Sequence, residues 1–236
     1  MTLKDLDMKT IVFSCKYSNI LPYFAIQFNK HFDSNQEVIV LSPWDELPPL
    51  PANFSHFKLP EFSPSWCNDL MPFFDQFHDE YFHSCMEDHF LHDPVNMDIF
   101  AEAEKLVREG TIDKFGFQVG HRPGEGARRF PDNPMFIKVA KEDNVVSSLQ
   151  PSIWRLSMFR ELLERTRDRN AWQFETMNKQ PTLPDEFTVF YCPEPEPYPV
   201  QDVVRRNVNN THYWSRFVKG EENIKVFQQA TQELFK

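Results

Sequence analysis

The sequence predicts an α/β protein built around a sheet with parallel strands. The chain opens with a short apolar run, a helical segment and a second apolar run, which together read as a β-α-β unit. Such a unit forms a right-handed crossover between two parallel strands. Further apolar runs alternate with helical segments along the chain, and 236 residues are enough for one substantial core.

The opening unit consists of two strands and the helix that connects them. Residues 9–15 (KTIVFSC) read as a buried central strand, because a short apolar run at this place in an α/β chain is typical of one. Residues 21–32 carry apolar side chains at helical spacing and predict a helix. Residues 37–42 (EVIVLS) predict the second strand. A proline-rich connection follows at 43–64, and it contains a short third strand at 57–59.

The middle of the chain continues the alternation. Further helices are predicted at 66–77, 94–109 and 157–165, and further strands at 81–85 and 115–119. A hairpin is predicted from 136–140 and 145–149, after a loop at 120–134 that is rich in glycine, proline and arginine. Beyond residue 180, short strands and proline turns lead to a last helix at 222–235.

Composition limits the class of protein. We expect a single domain over residues 1–236, with a core at about 9–180 and a C-terminal extension at 181–236. The net charge of −10 argues against a general nucleic-acid binder, because an acidic chain repels phosphate backbones. The four cysteines form no CxxC pair, which favours reduced thiols. Neither a signal segment nor a membrane-length apolar run is visible, and we expect a soluble, cytoplasmic protein without a transmembrane segment.

An acid pair, Glu87 and Asp88, follows the predicted strand at 81–85. In an open α/β sheet, ligands collect at the carboxyl ends of the strands. Carboxylates there can hold a hard divalent ion, which can in turn hold a diphosphate. The two acids can equally be solvated turn residues. A zinc site is a weaker alternative, because its spacing matches no CxxC or HxxxH pair. Its ligands would be His83, Cys85, His89 and His92.

A second group of polar and aromatic side chains lies later in the chain, where SLQPSIWR is followed by a helix and then by NAWQFE. The strand would bring Gln150 and Trp154 to the edge of the sheet, and the helix would return the chain to Trp172 and Glu175. Burial beside aromatic rings would raise the pKa of Glu175, which could then take a proton from an attacking hydroxyl. Alternatively, the tryptophans belong to the core and Glu175 is a structural hydrogen-bond acceptor.

These segments resemble GT-A-type glycosyltransferases. The strand that ends in an acid pair, SCMEDHFL, resembles the metal-binding D-x-D region of that family. The combination of QPSIW with WQFE resembles small bacterial and phage members, in which a Q-x-x-I-W strand precedes a helix and a P-W-x-F-E turn. The β-α-β opening and the SWCNDL element at 65–70 are also similar, and the resemblance covers roughly residues 9–180.

The resemblance implies a GT-A-like fold, with three α/β/α layers around a mixed central sheet. It implies transfer of a sugar from a nucleotide-sugar donor, with a UDP-sugar favoured, and a divalent Mn²⁺ or Mg²⁺ ion. It makes Asp88 the metal-site carboxylate and Glu175 the catalytic base of an inverting displacement. It places the donor against Cys15, Lys16, Tyr17, Trp66, Asp69, Glu87, Gln150, Trp154 and Trp172.

The acceptor is left open, since a glycan, a lipid-linked saccharide and a hydroxymethylated base in DNA all fit the same chemistry. The arginine-rich loop at 120–134 could close over the donor or the acceptor, because the guanidinium fork suits phosphate and carboxylate groups. A basic groove could also serve a DNA acceptor of the kind that phage enzymes modify. Its arginines would be Arg165, Arg167, Arg169, Arg205 and Arg206.

Two other function classes are alternatives to a glycosyltransferase. A non-catalytic binding or scaffold protein could keep the nucleotide-sugar fold without needing both Asp88 and Glu175. A nucleotidyltransferase would share the sheet and the acid-metal chemistry, but it would usually carry a glycine-rich, basic loop after the first strand. Residues 14–19 (SCKYSN) contain no glycine, which counts against that class.

Overall fold

The structure is a computed structural model that describes residues 8–14, 18–61, 63–117, 128–129, 133–139, 146–175, 187–192, 197–202, 204–205 and 208–209. The helices are α1 (Leu21–His31), α2 (Trp66–Phe74), α3 (Met97–Arg108), α4 (Leu156–Arg165) and α5 (Ala171–Glu175). The strands up to the middle of the chain are β1 (Thr10–Phe13), β2 (Val38–Ser42), β3 (Phe54–Lys58), β4 (Tyr81–Met86), β5 (His89–Leu91) and β6 (Lys114–Gly116). The later strands are β7 (Arg128–Arg129), β8 (Ile137–Lys138), β9 (Ser152–Arg155), β10 (Val189–Tyr191), β11 (Val200–Asp202), β12 (Val204–Arg205) and β13 (Val208–Asn209).

The central sheet is mixed. Among the described residues its strand order is β3-β2-β1-β4-β9-β6-β10-β8-β7. β1 is parallel to β2 on one side and to β4 on the other, and β3 extends the parallel set beyond β2. β9 runs antiparallel between β4 and β6, and β10 is parallel to β6. The predicted α/β class and its parallel opening unit are confirmed.

Helices cover both faces of this sheet. Successive side chains of a strand point to opposite faces, so each buried strand presents apolar groups to both layers. On β1, Val12 joins a cluster with α1 and α3, which includes Phe24 and Phe100. Its neighbour Phe13 joins a second cluster with α2, α4 and α5, which includes Phe159. The molecule therefore has the three α/β/α layers that the resemblance implies.

A smaller sheet lies beside the central one. The chain leaves β4 through a turn at Glu87 and Asp88 and enters β5, which pairs with β11 rather than with the central sheet. Nearby, the backbone N–H groups of His92 and Asn96 donate to the carbonyl oxygens of Pro199 and Pro197 at 3.0 and 2.8 Å. With β10 in the central sheet as well, the structured part of the molecule extends beyond the predicted core limit of about residue 180.

A small polar cluster on the α1 and α3 side ties this C-terminal segment to the core. Fully buried His83 lies with its Nδ1 3.1 Å from Thr10 Oγ1, and burial lowers the pKa of His83 to about 3. Cys85 Sγ lies 3.3 Å from the hydroxyl oxygen of Tyr198. Burial raises the pKa of the Cys85 thiol to about 12, so this cysteine is a packing residue and not a nucleophile.

One predicted element is wrong. β8 pairs with β10 and β7, while residues 146–149 form a turn and irregular backbone, so the hairpin expected from 136–140 and 145–149 does not exist. The apolar residues of this stretch are typical of a strand. Its backbone groups, however, hydrogen-bond to the side chains of Lys114 and Glu175 instead of to a neighbouring strand. The predicted helix at 222–235 lies outside the described residues. None of the described helices has the length and apolar character needed to span a bilayer.

We predict that His83 makes folding stability fall as the pH drops below 6.5. The unfolded chain binds a proton near the ordinary His pKa of 6.5, whereas the folded state binds one only near pH 3. Between these values the unfolded state holds more protons, so acid favours it, by about 2 kcal/mol at pH 5 relative to pH 7.5. Urea unfolding of the wild type at the two pH values measures this loss.

The matched variants are His83→Asn, which keeps a hydrogen-bonding group near Thr10, and His78→Gln at an exposed position. The His83 variant should lose the acid-dependent part of the stability, and the His78 variant should keep it. Equal acid losses in the wild type and in His83→Asn would show that another group is responsible.

Candidate functional site

The carboxyl ends of the parallel strands meet at one edge of the sheet, which we call the carboxyl edge. β1 ends at Phe13 and β4 at Met86, and these two residues are register partners. Because β9 is antiparallel to β4, its first residue, Ser152, also lies towards this edge, opposite Ser84. Open α/β sheets bind ligands at such an edge. The structure therefore brings both predicted sequence segments to one place.

The acid turn, Glu87 and Asp88, lies directly beyond the end of β4. The backbone N–H of Glu87 donates to the carbonyl oxygen of Phe13 at 3.3 Å, which ties the turn to the end of β1. Glu87 is 2% exposed, whereas the Asp88 side chain is 21% exposed and its Oδ1 lies 3.9 Å from Nε2 of His89. Asp88 is thus the more accessible of the two carboxylates.

Residues 146–150, which we call the bridging segment, connect the acid turn to α5. At one end, Nε2 of Gln150 lies 3.5 Å from Nε2 of His89. At the other end, the backbone N–H of Leu149 donates to Oε1 of Glu175 at 2.9 Å, and the Ser147 hydroxyl donates to the Glu175 carbonyl oxygen at 3.0 Å. Gln150 and Glu175 therefore belong to one connected group that reaches the acid turn.

A buried lysine beneath the bridging segment was missed by the sequence reasoning. Lys114 is fully buried, and its Nζ donates to the carbonyl oxygens of Val146 and Ser148 at 3.2 and 2.7 Å. The same Nζ lies 4.0 Å from the centroid of the Trp154 ring. Burial lowers the pKa of Lys114 well below its usual value, while the charge of Glu175 acts in the opposite direction. The only signal in the sequence is a charged residue at the start of an apolar strand.

The three tryptophans proposed as donor contacts lie in different environments. Trp154 is 0% exposed and its indole N–H donates to Ser84 Oγ at 3.0 Å, so the structure makes it a core residue with no surface for a ligand. Trp66 is buried edge-on against Phe13, with ring centroids 5.5 Å apart. Trp172 is 73% exposed on α5.

Asp69, in the first turn of α2, is a buried acceptor for the loop that precedes this helix. The backbone N–H of Ser63 donates to its Oδ2 at 3.0 Å, and the Ser63 hydroxyl donates to Oδ1 at 2.8 Å. Ser63 Oγ in turn accepts from the backbone N–H of Ser65, the residue before the first turn of α2. These contacts give Asp69 a role in shaping this loop.

Two buried polar atoms near the end of β1 have no hydrogen-bond partner within the described part of the chain. They are Oγ of Ser14 and Nε1 of Trp66. Buried polar atoms in folded proteins are nearly always paired with protein, water or a ligand. Both atoms are themselves buried, so neither offers a surface to a ligand in this structure.

Several predicted residues lie beyond what the structure describes. Cys15, Lys16 and Tyr17 are outside the described residues, as is most of the loop at 120–134. Of the arginines assigned to a basic groove, Arg165 and Arg167 form ion pairs with Glu161 and Glu164. Arg206 is outside the described residues, and only the backbone of Arg205 is described.

The donor set at the acid turn suits a hard cation that is shared with a ligand. The described residues contain no group of three or more His, Cys, Asp or Glu side chains that could hold a metal ion by themselves. Mg²⁺ is commonly bound by one or two carboxylates together with substrate phosphates and water, and Asp88 fits that pattern. The zinc alternative does not fit, because His83, Cys85, His89 and His92, all of which the structure describes, form no group of three side chains that could hold a metal ion.

No family model and no curated protein matches the sequence. Solved structures match its fold. UDP-glucose pyrophosphorylase from Acinetobacter baumannii is 10% identical with a TM-score of 0.54, and the match covers 96% of this chain and 99% of that one. HddC from Yersinia pseudotuberculosis is 10% identical with a TM-score of 0.50, covering 93% and 100% of the two chains. TarS from S. aureus is 14% identical with a TM-score of 0.44, over 79% of this chain.

The chain spans 37% of the length of TarS but nearly all of the length of the pyrophosphorylase. At these identities the first two matches show the fold and leave the activity open. Together with the mixed sheet and the three layers, they confirm the GT-A-like nucleotide-diphospho-sugar transferase fold.

We predict that Asp69→Ala destabilises the protein by about 1–3 kcal/mol, because the half-buried N–H and hydroxyl of Ser63 lose their carboxylate acceptor. Urea unfolding measures the loss, and Asp75→Ala at an exposed position provides the control. A folded Asp69→Ala protein with wild-type stability would return Asp69 to the list of ligand-binding candidates.

Proposed function

We propose that this protein is a glycosyltransferase that moves a sugar from a nucleotide-sugar donor to an acceptor hydroxyl and uses a divalent ion such as Mn²⁺ or Mg²⁺. One observation carries the proposal. The bridging segment links Glu175 to His89, the residue after Asp88, which supports a site that contains both the candidate base and the candidate metal carboxylate. A binding or scaffold protein has no need for both groups.

Asp88 would hold the metal ion together with the diphosphate of the donor. A divalent ion bound there neutralises the charge that develops on the departing nucleoside diphosphate. The nucleoside would extend towards the end of β1, where Trp66 is buried against Phe13. The donor set of Cys15, Lys16, Tyr17, Glu87, Gln150 and Trp172 remains part of the proposal, with a UDP-sugar as the first donor to test.

Glu175 would act as the general base. Its Oε1 is held by the N–H of Leu149, which fixes the direction in which the carboxylate points. The carboxylate would take the proton of the acceptor hydroxyl as that oxygen attacks the anomeric carbon. Attack on the face opposite the leaving diphosphate inverts the anomeric configuration.

A carbohydrate hydroxyl is the acceptor to test first. The basic groove proposed for DNA includes Arg165 and Arg167, but these two side chains pair with Glu161 and Glu164 of α4. The net charge of −10 also opposes binding to a phosphate backbone.

We predict that a nucleotide-sugar raises the melting temperature only when Mn²⁺ or Mg²⁺ is present. A donor at a hundred times its Kd stabilises the folded state by about 2.7 kcal/mol, because it binds that state alone. A thermal-shift screen of UDP-, GDP-, CMP- and dTDP-sugars, each with and without metal, measures the effect.

Asp88→Asn should abolish the metal-dependent shift, while Asp93→Asn, at an exposed position five residues along, should retain it. A donor shift of equal size with and without metal, unchanged in Asp88→Asn, would contradict the assignment. Formation of a nucleotide-sugar from a nucleoside triphosphate and a sugar phosphate would show that the protein is a nucleotidyltransferase instead.

We predict that Glu175→Gln lowers the turnover number at least about 100-fold, because general bases contribute roughly 10²–10⁴-fold to proton-transfer steps. The metal-dependent donor shift should survive, since Asp88 is unchanged. Release of nucleoside diphosphate in the presence of acceptor measures turnover, with Glu164→Gln on α4 as the control. Turnover within threefold of wild type would exclude Glu175 as the base.

A further inference from the structure

Lys114 is the one fully buried ammonium group that the structure describes close to the candidate site. A buried charge is retained only where its donors are satisfied and its charge is compensated. Here two N–H donors go to the carbonyl oxygens of Val146 and Ser148, and the face of Trp154 lies 4.0 Å away. Since the side chain is fully buried, it cannot contact a substrate.

The contacts of the bridging segment alternate along the backbone. Val146 and Ser148 present their carbonyl oxygens to Lys114, whereas Ser147 and Leu149 present a hydroxyl and an N–H to Glu175. The segment is therefore held by the Lys114 side chain through two carbonyl oxygens, and by Glu175 through its carboxylate and its backbone carbonyl oxygen. The charge of Glu175 also acts directly on the Lys114 ammonium.

The next residue along the segment is Gln150, which lies against His89 beside Asp88. The position of the segment thus sets both the orientation of the Glu175 carboxylate and the approach of Gln150 to the acid turn. The turn itself has an independent attachment, since the N–H of Glu87 donates to Phe13.

We propose that Lys114 is a positioning residue, which holds the bridging segment against Glu175 and so fixes the direction of the candidate base. This inference deepens the proposed function and rests on it for the role of Glu175. The lysine acts through the backbone carbonyls and through its charge, and it takes no part in the reaction itself.

The first test is hydrogen exchange of the peptide that contains residues 146–150 in Lys114→Met, a substitution that keeps the length of the side chain and removes its charge. Amide exchange there should be at least tenfold faster than in wild type, while the peptides of β1 and β2 stay unchanged. Lys105→Met, at an exposed position on α3, is the matched control. Wild-type exchange at 146–150 in folded Lys114→Met would overturn the proposal.

The second test separates positioning from general stability. In Lys114→Met the turnover number should fall at least tenfold, while KM for the donor changes less than threefold, because the acid turn has its own attachment to β1. If kcat fell and donor KM rose by the same factor, the fold would be loosened in general, and the proposal would be overturned.

A double-mutant comparison covers the case in which Lys114→Met alone does not fold. Glu175→Gln leaves the buried ammonium without its countercharge, so this variant should melt below the wild type. Lys114→Met combined with Glu175→Gln removes both charges and should melt above Glu175→Gln. A double variant that melts lower than Glu175→Gln would show that the two groups do not act as a pair.

Failure of the glycosyltransferase proposal can be distinguished from failure of the inference about Lys114. If the wild type transfers no sugar to any acceptor, the exchange and melting experiments still decide whether Lys114 holds the segment. If the wild type is active and a folded Lys114→Met protein matches its turnover number, the inference about Lys114 fails and the glycosyltransferase proposal stands.

Discussion

The parallel pairing of β1 with both β2 and β4 is the constraint on which the rest of this structure depends. It places the carboxyl ends of these strands at one edge, and it fixes Phe13 opposite Met86, from which the acid turn starts. The antiparallel strand β9 then brings the bridging segment to the same edge, because its first residues lie where β4 ends. Strand register thus determines which turn and which segment of the chain meet at the candidate site.

Local sequence patterns predicted the elements whose stability comes from their own amphipathic faces. The first two strands and α1 were predicted within two residues of their observed limits, since apolar spacing alone determines which face is buried. The bridging segment was mistaken for a strand because Lys114, which binds its carbonyl oxygens, lies more than thirty residues earlier in the chain. A hydrogen-bond partner so distant leaves no trace in a local pattern.

The candidate site was predicted by residue type, and residue type does not specify burial. Glu87, Asp88, Gln150 and Glu175 were expected in one site, and the structure links Gln150 and Glu175 through the bridging segment to His89, the residue after Asp88. Trp154 matched the same motif, yet it lies in the core, where a large aromatic ring gains most from burial. The difference depends on which face of β9 a residue occupies, and this becomes known only once the register with β4 is known.

The pairing of β5 with β11 has a consequence for how the protein is made. The ribosome releases the acid turn more than one hundred residues before it releases the strand that covers β5. During that interval the central parallel strands can pair, while β5 keeps an open edge with unsatisfied backbone groups. A nascent chain would therefore expose this unpaired edge to other chains until β11 has been made, and that interval is when it is most prone to aggregate.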